Sequence, residues 1–224
     1  MSIILNIDNS IETASVSIAR DGIVQAYLIN TIQKEHASFL HNAVKQLLTE
    51  SSLDIKQMDA IAVTSGPGSY TGLRVGLASA KGLCYALSKP LITIGTLNAL
   101  AAAAINASKE TFSRPTLFCP MIDARRMEVY TAVFDKNMTE ILPPCAMILH
   151  ENAFEQILQN NHVLFFGSGA AKWSSITRSE NAAFINELDI TTAICKLSFE
   201  KFLNNNFTDL TYSEPLYIKE FFSP

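Results

Sequence analysis

The tightest constraint on this chain is that its opening returns near its middle. Aligning Asp8 with Asp123 lays NIDNSIETASVSIARDG (6–22) over MIDARRMEVYTAVFDKN (121–137). Each copy reads as an apolar strand ending in Ile-Asp, a short polar loop, an alternating strand and a turn. The two aspartates stand 115 positions apart in a chain of 224 residues, about half its length. A repeat at that spacing implies two similar α/β half-domains facing one another. The first is expected at 1–108. The second, smaller and carrying a C-terminal tail, is expected at 109–224, with the boundary in the polar stretch NASKETFSRP (106–115).

The rest of the pattern supports an alternation of strands and helices. IILNID (3–8) is apolar almost throughout, as a strand covered on both faces would be. TASVSIA (13–19) alternates, and the RDG turn leads into IVQAYLI (23–29), which completes a meander. Leu40, Val44, Leu47 and Leu48 share one face of a helix expected over 35–51. AIAVTS (60–65) and LITI (91–94) are further strands, and TLNALAAAAI (96–105) is an alanine-rich helix. In the second half the expected elements are a helix at 150–159, a strand HVLFF (162–166), a helix at 189–205 and a surface-packed tail.

Charge and cysteine usage exclude several classes. Net charge is −4 and the pI about 5.6, so there is no global basic field of the kind that drives nucleic-acid or membrane-surface binding. Cys84, Cys119, Cys145 and Cys195 form no C-x-x-C pair, which reads as a reduced, cytoplasmic chain with neither a disulfide framework nor a zinc site. MSIILNID is a first strand, not a signal peptide, and the longest apolar runs are too short to span a bilayer.

The densest punctuation is SGPGSYTGLRVGLASAKGL (65–83). It fails as a Walker A loop, because five residues separate Gly66 from Gly72 and Leu73-Arg74 replaces Lys-Ser/Thr. It fails as G-x-G-x-x-G as well. The alternative is steric. Gly66-Pro67-Gly68 turns off a strand, Ser69 or Thr71 caps the following helix, and Gly72, Gly76 and Ala80 form a stripe with almost no side chain. Such a stripe lets another backbone come close. Gly82 lies off it and costs helix stability.

These residues resemble a known family. SGPGSYTGLRVGLASAKGL is similar to the signature of the TsaB (YeaZ) family, and MIDARRMEVY (121–130) and EPLYIKEF (214–221) resemble its second and third motif blocks. The resemblance implies two RNase-H-like half-domains of the actin/Hsp70/sugar-kinase superfamily, mixed sheets flanked by helices. It also implies a role in making threonylcarbamoyladenosine beside the anticodon of tRNA. In that family TsaB is the non-catalytic partner of TsaD, which transfers the threonylcarbamoyl group, and the ATPase TsaE joins the complex. TsaD binds its metal through a His-x-x-x-His pair. Thr96 and Leu100 stand at the corresponding positions here and cannot make that site. Two departures from the family are Asn9, where Asp-Thr-Ser is common, and Lys219, where arginine is usual.

The expected function is therefore a scaffold without catalytic, cofactor-binding or metal residues of its own, reaching tRNA only through the complex. The expected interface positions are Leu40, Ala43, Leu47, Gly72, Gly76 and Ala80, on two helices that would form a small bundle with those of TsaD, or with a second copy in a homodimer. Other polar candidates carry bland alternatives. His36 and His41 lie about 140° apart on a helix and suit solvent-facing or capping roles. Asp8 and Asp123 would face the cleft between the halves and suit plain Asx turns, and GSG (167–169) suits a turn before a helix as well as an adenosine contact. Arg125 and Arg126 fit a solvated loop as well as an RNA or protein contact. The rival functions are a glycoprotease-like metallopeptidase and a stand-alone nucleotide-binding ATPase.

Overall fold

The apolar opening strand, β1 (Ile3–Asp8), takes the centre of a five-stranded sheet. The computed structural model describes residues 1–32, 35–108, 116–186 and 188–219. They fall into two compact units: Met1–Thr96 with Thr191–Leu216, and Leu97–Ile190 with Tyr217–Pro224.

In the first unit β2 (Ala14–Arg20) pairs antiparallel with β1 and with β3 (Ile23–Asn30). On the other side of β1, β4 (Ala60–Gly66) and then β5 (Leu91–Gly95) add in parallel, giving the order β3-β2-β1-β4-β5. Alternation along the strands decides what covers each face. Leu5, Ile7, Val16, Ile18, Ile61 and Val63 point into one core with α1 (His36–Glu50) and α2 (Tyr70–Leu87). On β1 and β2, Asn6 and Ser17 point away from that core and meet the C-terminal helix, α6 (Ile190–Leu203). There Ser198 Oγ donates to Asn6 Oδ1 at 2.6 Å, and Ser17 Oγ lies 3.2 Å from Cys195 Sγ. These bonds satisfy polar groups that would otherwise be costly to bury.

The second unit repeats this plan. β6 (Thr116–Asp123) pairs antiparallel with β7 (Glu128–Phe134), which pairs antiparallel with β8 (Glu140–Ile148). β9 (His162–Phe166) and β10 (Ala182–Ile185) add in parallel on the other side, in the order β10-β9-β6-β7-β8. Pairing senses and order match the first sheet strand for strand, and Asp8 and Asp123 both end the central strand. Helices α3 (Thr96–Ala107), α4 (Glu155–Leu158) and α5 (Ala170–Ser174) complete the unit. Its core is aromatic: Phe154 meets Phe165 and Trp173 edge-on with ring centroids 5.2 Å apart in each pair.

Three sequence expectations differ from this. β8 has no counterpart among the expected elements, and Pro143 and Pro144 lie inside it. It is an edge strand, and its register against β7 shifts beside the prolines, where a missing N–H costs no ladder bond. The helix expected over 150–159 shortens to the single turn α4, and β10 is an additional strand. α6 groups with the first unit because its buried stripe, Ala193, Ile194, Cys195 and Ser198, carries the residues that meet β1 and β2. α3 beyond Thr96 groups with the second. Most of the expected boundary stretch, 109–115, lies outside the described residues, as do Glu220 and Phe221 of the third motif block.

Candidate functional site

The glycine-rich segment leaves β4 and wraps the end of β1. A Cβ on Gly68 would collide with the Ser10 carbonyl oxygen, and one on Gly72 with that of Asn9. Ser69 N–H donates to Ser10 O at 2.7 Å, and Ser69 Oγ accepts from Gly72 N–H at 3.3 Å as the α2 N-cap. The glycines thus make room for the chain's own backbone. Gly66, at φ 113, faces the Leu216 carbonyl, and Leu216 N–H donates to Ser65 O at 2.7 Å. That contact ties the C-terminal tail to the same loop. The second unit does likewise after β9. Gly167, at φ 93, lies against the Met121 carbonyl, and Gly169 N–H donates to that oxygen at 3.0 Å.

Asp8 is 1% exposed. Its Oδ1 accepts from Ser10 N–H at 2.9 Å, Ser10 Oγ at 2.6 Å and Thr64 Oγ1 at 2.7 Å, so the Asx turn forms with a cross-strand bond added. Burial pushes its carboxyl above the ordinary value, against the pull of the Ser10 and Thr64 bonds and the His36 charge. Asp8 Oδ2, both polar atoms of Asn9 and His36 Nε2 are buried without a hydrogen-bond partner among the described residues. His36 is therefore buried, contrary to a solvent-facing role. His41 is exposed, with Nε2 3.4 Å from Ser79 Oγ.

Asp123 is different: exposed, paired with Lys172 at 2.8 Å and accepting from Arg125 N–H at 2.6 Å. Partial desolvation pushes its carboxyl up, but the Lys172 bond, the Arg125 N–H and the Lys172 charge outweigh that and hold it below its usual value. Thr96 and Leu100 are both buried on α3, and among the described residues no three His, Cys, Asp or Glu side chains gather as metal ligands.

The six expected interface positions lie on the inner faces of α1 and α2. Leu40, Ala43, Leu47 and Ala80 belong to the core of the first unit, and Gly72 and Gly76 are buried with them. A Cβ on Gly76 would stand 3.5 Å from Val63 Cγ2 and 3.6 Å from Asn9 Cβ, so the stripe seats α2 on its own sheet. The outward face of α2 is a second small-residue stripe that the sequence reading passed over. Thr71, Arg74, Ala78, Gly82, Tyr85 and Ala86 are exposed, Tyr85 at 82%. The available signal was the flanking chemistry: Leu73, Leu77 and Cys84 mark the inner face, Arg74 and Tyr85 the outer.

Two units of one mixed topology, each with an aspartate ending its central strand, define a protein of the RNase-H-like class to which actin, Hsp70 and the sugar kinases belong. The family model for TsaD, tRNA N6-adenosine threonylcarbamoyltransferase, matches residues 30–205, and the tRNA threonylcarbamoyladenosine biosynthesis protein TsaB of Bacillus subtilis is 32% identical over 167 residues, covering 73% of this chain and 70% of that protein. The chain belongs to this TsaD-like family and, within it, to the TsaB (YeaZ) branch. TsaB of Haemophilus influenzae is 27% identical over 227 residues, covering 96% of this chain and 93% of that one. A solved Pseudomonas aeruginosa structure, described as a protein with similarity to peptidase YeaZ, superposes with a TM-score of 0.84 at 23% identity, covering 98% of this chain and 100% of that one.

Proposed function

We propose that the chain is a non-catalytic subunit that activates TsaD in threonylcarbamoyladenosine modification of tRNA, docking the outward faces of α1 and α2 on the matching helices of TsaD. Family membership supports a place in that biosynthesis, and the reach of the TsaD model across residues 30–205 supports matching helices in the two proteins. Thr96 and Leu100 offer no metal-binding pair where TsaD carries its histidines.

Gly82 carries the contact itself. It lies inside an 18-residue helix, it is exposed, and a Cβ there would meet nothing within 4 Å. A helical glycine costs about 1 kcal/mol relative to alanine, and among the described residues no neighbour comes close enough to need it. A partner helix crossing at Ala78, Gly82 and Ala86 would gain close approach, with Tyr85 as an apolar anchor. The same face closes a homodimer when TsaD is absent, TsaE joins the larger complex, and tRNA is engaged only there.

The test is co-purification with TsaD from the same organism, followed by tRNA modification with each protein alone and with both. Modification should require both proteins. A TsaD equally active without this chain, or a chain that modifies tRNA alone, would overturn the reading.

A further inference from the structure

The β6–β7 turn of the second unit holds two adjacent arginines. Arg125 and Arg126 both occupy the left-handed region, at φ 67 and 49. Long side chains are uncommon there, and two in succession cost conformational energy. Neither guanidinium recovers that cost within the chain: both residues are exposed, and neither side chain has a hydrogen bond or ion pair among the described residues. The nearby carboxylates are already taken. Asp123 is paired with Lys172 at 2.8 Å, and Glu128, across the turn, with Lys219 at 2.5 Å. The turn therefore displays two uncompensated positive charges on a chain of net charge −4.

We infer that this turn is a phosphate-binding tip that holds the sugar-phosphate backbone of tRNA, an inference that rests on the partnership with TsaD proposed above. The planar guanidinium fork matches two phosphate oxygens at once. With no basic field over the whole chain, any phosphate contact must come from a local cluster whose charges are not neutralised. The lysines beside Asp123 and Glu128 meet half of that requirement by removing the acidic competitors. An acidic protein surface would satisfy the same arginines, but the family serves a tRNA modification, so a polyanion is already the substrate of the reaction. Backbone contacts of this kind position the RNA and read no sequence.

The experiment uses the full chain assembled with TsaD, an unmodified tRNA transcript and filter binding across a salt series, with assembly followed separately by light scattering. R125A/R126A should assemble normally and bind tRNA at least about tenfold more weakly near 0.1 M salt. Its salt slope should fall by about 1.5, at roughly 0.7–0.9 per lost contact. R125K/R126K should keep most of that slope, because the charge remains. Unchanged affinity and slope in the alanine variant would overturn the inference. So would loss of assembly, which would assign the arginines to a protein contact. A wild-type chain that never assembles with TsaD would overturn the partnership, and this inference with it.

Discussion

Thr64 on β4 donates its hydroxyl to Asp8 Oδ1 on β1 at 2.7 Å, so the carboxylate ending the central strand is held by the neighbouring parallel strand. The other oxygen of the same carboxylate is buried with no partner among the described residues. Half of the group is well solvated by protein, and half is not.

That asymmetry sets a pH dependence. The folded-state pKa of Asp8 is raised above its ordinary 3.8. The folded protein therefore binds this proton more tightly than the unfolded chain. Its contribution to stability is fully present below the unfolded value and is lost as pH rises through the folded one. Asp8→Asn removes the titration. Relative to the wild type, the D8N protein should gain stability as pH rises above 3.8 and level off once the folded-state carboxyl has ionised. Urea midpoints of both proteins across that range check it. A difference that stays constant with pH would count against the assignment.

The thiols should separate cleanly. Burial pushes Cys84 up to about 11, against a backbone hydrogen bond from Ile61, and Cys119 up to about 12, against the Thr131 hydroxyl. Both are buried, as is Cys195, whereas Cys145 on edge strand β8 is half-buried. The thiolate is the reacting species, so native labelling at about pH 8 should proceed at Cys145 alone, with the other three reacting only after denaturation. Cys145→Ser should abolish the native reaction. Comparable labelling of Cys119 in the folded protein would contradict this packing.

The aromatic core of the second unit has a built-in reporter. Trp173 is the one tryptophan of the chain, fully buried between Phe154 and Phe165, with centroids 5.2 and 6.0 Å away. Its native emission should be that of an apolar site. Phe154→Ala removes a ring that contacts both neighbours and should cost about 3–5 kcal/mol, read from the fluorescence-detected denaturation midpoint. A cost below about 1 kcal/mol would mean that the site collapses around the lost ring.

The repeat around Asp8 and Asp123 was legible because strand periodicity and a terminal Ile-Asp survive in both copies, and it led directly to the duplicated sheet. β8 was hidden because Pro143 and Pro144 suppress a strand reading unless the strand is known to lie at an edge, which is a property of the whole sheet. The glycines read as packing glycines from the sequence alone, without the backbone that they admit. A stripe of small residues says that a backbone comes close, and not whose. For Gly68 and Gly72 it is the chain's own β1 loop. The burial of His36 and the left-handed pair at Arg125 and Arg126 left no trace in periodicity at all. They are set by tertiary contacts and by turn geometry.

Gly76 and Gly82 turn that distinction into a measurement, because they lie on opposite faces of α2. At Gly76 a Cβ would already stand 3.5 Å from Val63 Cγ2 and 3.8 Å from Ile7 Cγ2, so the further carbons of leucine have no space. Gly76→Leu should destabilise the isolated chain by about 1–3 kcal/mol or more through overpacking. At Gly82 the Cβ would meet nothing within 4 Å. Gly82→Leu should stabilise the isolated helix by up to about 1 kcal/mol from propensity alone. If the outer face receives TsaD, the same substitution places a branched side chain where another backbone must approach. The G82L protein should therefore melt higher than wild type when both are compared as monomers at high dilution, yet fail to co-purify with TsaD. A G82L chain that is more stable and still assembles at wild-type affinity would place the contact elsewhere, while a G76L chain of unchanged stability would contradict the seating of α2 on its sheet.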